Sequence, residues 1–505
     1  MTTTFLGRPL ARCVMVLGTT SGAGKSWLTT ALCRHYARQG LKVAPFKAQN
    51  MSNNARVVEG VGGEGEGAGA MSAWGEIGSA QYFQALAARA VPDVRMNPLL
   101  LKPEADTHSQ VVLMGQVSAE LTAMPWRGRS EKVWPQIATA LDALRAENDV
   151  VVIEGAGSPA EINLHASDIV NMRVARHAQA RCLLVTDIDR GGAFAHLYGT
   201  WALLPEDERA LIAGFVLNKF RGDAALLAPA PQMLQALTGV PTVATIPMWW
   251  QHGLPEEDGV FDDRTLTAGA VHTTVAVVAY PRISNLDEFQ PLKNVPGLTL
   301  SWARTPAALH GADTLILPGS KATAADLAWL RAQGLDAAIA EHAARGGRVL
   351  GICGGLQMLG EALIDVHGIE AQGNAPGLGL LPLVTSFEPD KTVRRTQTRF
   401  GDVAGAWGAL SAVPIGGYEI HAGQTAPHPA MIAKGDVLRE VIPGIAWQNG
   451  GGNVLGVYMH GLFEDAAVLQ ALFGAGAPSL DAVFDQLAAN VERAFAPGVL
   501  QGLIQ

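Results

Sequence analysis

Two stretches carry residue types whose spacing could do covalent chemistry. In Arg348-Val349-Leu350-Gly351-Ile352-Cys353-Gly354-Gly355-Leu356-Gln357, a β-type apolar run stops at small residues and a helix-like run to Leu363 follows. This is the pattern of a nucleophile elbow, in which a tight turn lifts a reactive side chain above a sheet and flanking glycines let the backbone bend. The amide of Gly354 then points to where an oxyanion would form. A thiol with a pKa of roughly 8.5 is only slightly ionised at neutral pH, so Cys353 needs a base. Among the 13 histidines, His460 is best placed, because Val454 to Met459 reads as a strand that delivers it beside Gly461. The strand-end turn Pro318-Gly319-Ser320-Lys321 offers Gly319 and Ser320 as further oxyanion or amide-substrate contacts. Each such donor is typically worth ~3–4 kcal/mol of barrier.

The second stretch is Gly18-Thr19-Thr20-Ser21-Gly22-Ala23-Gly24-Lys25-Ser26, between a short buried strand (Arg12 to Leu17) and an amphipathic helix to about Gln39. Strand, glycine-rich loop and helix is the setting of a P-loop. The amides from Thr19 through Gly22, Ala23 and Gly24 would hold ATP phosphates, Lys25 would reach the outer ones, and the Ser26 hydroxyl would ligate Mg2+. The leading glycine, Gly18, stands one residue earlier than usual. Glu154, closing the run Asp149 to Ile153, is the natural second acid near Mg2+, since carboxylates suit a hard cation. Asn218, ending the run Leu211 to Leu217, is a candidate to read adenine edges.

Both sites need sheets to hold them. Runs at Leu41–Phe46, Asp149–Ile153, Arg181–Val185, Leu211–Leu217 and Val240–Ile246 each end in polar clusters. Buried parallel strands with functional residues at their C-terminal ends mark an open α/β sheet. Pro, Gly and charge accumulate between Ala228 and His272, which sets a domain boundary near Phe261 to His272. α/β alternation resumes at Thr274. The expected organisation is an ATP-binding domain over 1–265, a second α/β domain over 272–470, and a helical tail over 471–505 packed on the second domain. Glu59 to Ala73, acidic and glycine-rich, is expected to be a loop with little apolar surface to bury.

Composition excludes several classes. A hydrophobic content of 48% in 505 residues calls for more than one packed core. The net charge of −9 is interspersed, unlike the clustered basic residues of a nucleic-acid partner. No apolar run reaches the roughly 18–20 residues of a membrane span, and Met1 to Arg12 shows no secretory pattern, which points to a soluble cytoplasmic protein. Nothing in the composition speaks to an oligomeric state. The four cysteines lack metal-ligand spacing; Cys13, Cys33 and Cys182 read as small buried hydrophobes.

The P-loop together with Glu154-Gly155-Ala156-Gly157 resembles the dethiobiotin synthetase-type ATP-binding fold. Cys353, the Pro-Gly-Ser turn and the late His460 resemble a class I glutamine amidotransferase domain. More narrowly, Pro45-Phe46-Lys47-Ala48-Gln49-Asn50-Met51-Ser52, Met96 to Pro103, Ser109 to Val112, Glu154 to Leu164 and Thr186 to Gly192 resemble the cobyric acid synthases of the cobyrinate/cobyric acid amide synthase family. The resemblance implies an ATP- and glutamine-dependent amide ligase acting on a corrinoid polycarboxylate, with Lys47, Gln49, Asn50, Lys102, Asp187 and Arg190 as candidate substrate contacts. Cobyrinic acid a,c-diamide synthase and, more remotely, a ParA/MinD-like ATPase are the competing readings. Many amidotransferases carry a carboxylate two residues after the catalytic histidine; here Leu462 stands there, so a Cys–His dyad is expected, with Glu419 or Glu464 as candidates to orient the ring. The block Gly416 to Gly423 also matches the family, without an assigned role.

Overall fold

The computed structural model of the chain describes residues 4–5, 8–60, 74–105, 108–250, 252–255, 272–370 and 373–505. The expected loop at 59–73 and the expected boundary at 261–272 therefore fall almost wholly outside the described residues.

The first half is built on six parallel strands in the spatial order Thr242–Pro247, Ile212–Phe220, Arg181–Asp187, Arg12–Gly18, Val150–Glu154, Val43–Phe46. Their Val-, Ile- and Leu-rich sequences are buried on both faces, as parallel strands covered by helices require. The functional polar residues follow at the C-terminal ends, which gathers Gly18, Glu154, Asp187 and Asn218 along one edge. Helix Lys25–Arg38 starts at Gly24, whose φ of 98° suits glycine. A Cβ there would also meet the Asn218 amide at 2.0 Å.

The second half carries a seven-stranded sheet in the order Leu298–Ala303, Thr273–Val278, Thr314–Leu317, Arg348–Ile352, Val454–Val457, Ala446–Asn449, Leu438–Ile442. The first five strands are parallel, Ala446–Asn449 pairs antiparallel to Val454–Val457, and the edge strand Leu438–Ile442 pairs antiparallel to Ala446–Asn449. Beside it stands a long antiparallel pair, Leu383–Arg399 with Pro414–Pro427, which holds the Gly416 to Gly423 block.

The tail departs from its expected place. Helix Leu480–Ala494 packs on the first half, not the second. Its buried face, Val483, Phe484, Leu487 and Val491, shares one apolar cluster with Leu28, Leu32 and Tyr36 of the P-loop helix. Arg34 reaches Asp481 at 3.0 Å and Asp485 at 2.8 Å, and His35 Nδ1 meets Glu492 at 2.8 Å. The Tyr36 hydroxyl donates to Leu500 O, and Ala496 N to Val243 O. Amphipathic spacing reveals that a helix has a buried face but not what covers it. The answer lies in the acids of one helix matching the cations of another, far away in sequence. Only the preceding helix, Ala466–Phe473, stays with the second half.

Truncating the contact should therefore destabilise the ATP-binding half. Leu487→Ala is expected to cost about 2–5 kcal/mol in denaturant unfolding. Hydrogen exchange should show the loss of protection in helix Lys25–Arg38, while strand Arg348–Ile352 keeps its protection.

Candidate active site

Cys353 caps helix Gly354–Leu359 in a strained conformation, φ 49° and ψ −105°, that non-glycine residues rarely adopt. Strand Arg348–Ile352 leads into it, so the turn has the geometry of a nucleophile elbow. The glycine after it is required by close approach, since a Cβ on Gly354 would lie 2.7 Å from Ser320 N. That contact sets the Ser320 amide beside Gly354, where two oxyanion donors are needed. The turn is fixed by Ser320 Oγ donating to Asp326 Oδ2 at 2.6 Å. Cys353 lies 5% exposed, with its sulfur 3.7 Å from Ile420 O. The other three cysteines are buried, and burial pushes their thiols up.

His460 follows strand Val454–Val457 and exchanges backbone hydrogen bonds with Tyr418, whose ring stacks on it. The Cys353 sulfur lies close enough to the imidazole to raise its pKa. The residue that orients the ring is Glu288. Its Oε1 stands 3.1 Å from His460 Nδ1, and its Oε2 accepts from Gly461 N at 3.0 Å. Neither expected carboxylate takes this place. Glu464 pairs with Arg56 at 2.6 Å, and Glu419 is held by Arg394 at 2.8 Å and by Thr396. Burial alone would lower the His460 pKa, but the Glu288 carboxylate and the Cys353 sulfur outweigh it and push the imidazole up to about 10. The site thus stabilises an imidazolium next to Cys353, ready to give a proton to a leaving nitrogen.

Glu288 stands 172 positions from His460 in sequence, far from either expected carboxylate. The carboxylate comes instead from the segment Asn285-Leu286-Asp287-Glu288, which follows strand Thr273–Val278 at the same sheet edge as Cys353. An acid pair after a strand end, on the edge that holds the nucleophile, was the signal available.

At the other site, Ser26 Oγ donates to Glu154 Oε1 at 2.8 Å, Lys47 Nζ stands 2.9 Å from the same oxygen, and Gln84 donates to Oε2. Burial opposes charge on Glu154, but Lys47 and these hydrogen bonds hold its carboxyl below the usual range. Lys25 donates to Thr20 O and Gly157 O, at the mouth of the loop. Thr19 ties the loop to the neighbouring strand through Thr186 Oγ1 at 2.9 Å. Asn218 donates to Ala23 O, which braces the loop. Lys219, not singled out from sequence, reaches Gly22 O at 2.7 Å and Asp187 at 3.1 Å.

Comparison with known proteins joins the two sites. The CobQ/CobB/MinD/ParA nucleotide binding domain matches residues 14–250, and the CobB/CobQ-like glutamine amidotransferase domain matches residues 274–468. The chain is 83% identical over 493 residues to the cobyric acid synthase of Acidovorax ebreus (strain TPSY), covering 98% of this chain and 99% of that one. It is 79% identical to the cobyric acid synthase of Acidovorax sp. (strain JS42), over 98% of each chain. It is 78% identical to that of Variovorax paradoxus (strain S110), over 98% of this chain and 99% of that one. The chain belongs to the cobyric acid synthase family.

Within this cobyric acid synthase fold, the expected substrate contacts are not gathered in one place. Lys47 lies against Glu154, at the phosphate end. Asn50 donates to Gln81, next to the buried Gln49. Lys102 is 4% exposed and pairs with Glu76, which also holds Lys391 of the second half at 2.5 Å. Lys47 and Lys102 each stand in a buried ion pair. Asp187 meets Lys219, and Arg190 is largely exposed.

Replacing the orienting carboxylate tests the hydrolytic site. In Glu288→Gln the imidazolium loses its negative partner and gives up its proton at lower pH, while Tyr418 stays neutral because burial pushes its phenol up. The alkaline limb of the glutaminase pH–rate profile should move down from near pH 10. The rate at neutral pH should fall by about 10²-fold.

Proposed function

We propose that the protein is a glutamine-hydrolysing amide ligase that converts the b, d, e and g propionate carboxylates of (adenosyl)cobyrinic acid a,c-diamide into amides, giving cobyric acid. The reading is carried by the Cys353–His460–Glu288 arrangement in the same chain as the Ser26–Glu154 P-loop site. A positioning ATPase would use the second site and have no need of the first.

Cys353 Sγ attacks the amide carbon of glutamine while the Gly354 and Ser320 amides receive the charge that develops on oxygen. His460 gives a proton to the departing nitrogen, and ammonia leaves. Water, deprotonated by the same imidazole, then hydrolyses the thioester to glutamate. At the P-loop, a phosphoryl group passes from ATP to a corrinoid carboxylate, which turns a poor electrophile into one with a good leaving group. Ammonia attacks, phosphate leaves and the amide forms. The protein contributes positioning and charge neutralisation through the loop amides and Lys25.

The donor set supports Mg2+ as ATP's partner. Among the described residues no group of three or more His, Cys, Asp or Glu could cage a metal. The Ser26 hydroxyl and the ionised Glu154 fit an ion that completes its shell with phosphate oxygens and water, as Mg2+ does. When bound, the ion would neutralise charge on the phosphates. Among the described residues no helix is long and apolar enough to cross a membrane, which agrees with the cytoplasmic location we propose.

Cys353→Ala separates the two chemistries. It should abolish amidation with glutamine as nitrogen donor and retain amidation with an ammonium salt. Mass spectrometry of the corrinoid product counts the amides formed. A product amidated at the a and c positions alone would identify the a,c-diamide synthase instead.

A further inference from the structure

The glutaminase site is not built from the second half alone. Arg56, on strand Ala55–Glu59 of the ATP-binding half, is buried between Tyr82 and Phe83 of its own half and Asp287, Glu464 and Tyr418 of the second. Its guanidinium pairs with Asp287, the residue before Glu288, and its Nη1 meets Glu464 Oε1 at 2.6 Å. It also lies 5.1 Å from the centre of the Tyr418 ring, whose other neighbour is the His460 ring at 5.4 Å. Adjacent to it, Ala55 N donates to Asn285 Oδ1 at 3.0 Å and Leu286 N to Asn54 Oδ1 at 2.9 Å. These reciprocal bonds tie the backbone of the short turn that presents Glu288.

We propose that Arg56 is a positioning residue of the glutaminase, contributed across the interface by the synthetase half. It holds the Asp287–Glu288 turn from one side and the Tyr418 ring from the other, and the His460 imidazole sits between what those two present. Glutamine hydrolysis is thereby conditional on the docked state of the ATP-binding half. A guanidinium suits the task because its planar fork can meet two carboxylates while its face lies on aromatic rings; an ammonium cannot do both. The inference rests on the reading of Cys353 as the glutaminase nucleophile.

The test uses the full-length chain with Arg56→Lys and Arg56→Met, each assayed with glutamine and with ammonium as nitrogen donor. Glutamine-dependent kcat is expected to fall by about tenfold or more, as for other residues that orient a catalytic ligand indirectly. Ammonium-dependent kcat and the glutamine KM should stay within about threefold. The alkaline limb of the glutamine-dependent pH–rate profile should move to lower pH, because a loosened Glu288 holds the His460 imidazolium less firmly. If Arg56→Met fails to fold, Arg56→Lys carries the test, since it keeps the buried cation. Equal losses with both nitrogen donors, or an unchanged glutamine rate and pH–rate profile, would overturn the proposal. If Cys353→Ala retained glutamine-dependent activity, the glutaminase reading itself would fail, which is a different outcome.

Discussion

A carboxylate and an imidazole, both almost wholly removed from water, face each other at 3.1 Å between Glu288 and His460. Burying either charge by itself would be costly, and each is tolerable because the other is there. Much of the second half can be understood as what holds this pair. The strand ending at Val457 delivers the histidine, and the turn after strand Thr273–Val278 delivers the acid. The elbow delivers Cys353 to the same place in a conformation its backbone would not choose freely.

The pair also explains why the halves meet where they do. A turn that presents a buried acid needs partners for its remaining polar groups. Asn54 and Arg56 of the first half supply them. A second bridge lies nearby, where Glu76 joins Lys102 of its own half to Lys391 of the other, and Arg282 and Lys321 reach Glu104. Lys321 directly follows Ser320, so the oxyanion turn too abuts the first half. In a two-site ligase this arrangement places the ammonia-producing centre against the domain that consumes ammonia.

Much of this was legible in the sequence, and the limits have physical causes. The Cys353 elbow, the P-loop and the parallel strands are local patterns: apolar runs, glycines where the backbone turns, and polar residues at strand ends. The family blocks between Pro45 and Gly192 were equally readable. What sequence could not supply was pairing over distance. The carboxylate on His460 comes from 172 positions upstream, and the tail helix finds Arg34 across 451 positions. Lys47 and Lys102 read as substrate cations because charge is visible in sequence and a buried partner is not.

Glu288 keeps His460 protonated beside Cys353 in the resting protein. Nitrogen-15 NMR of the labelled histidine ring measures this directly as pH is raised. Imidazolium resonances are expected for His460 through neutral pH, with deprotonation near pH 10. A neutral imidazole that titrates near the ordinary histidine value of roughly 6.5 would contradict it.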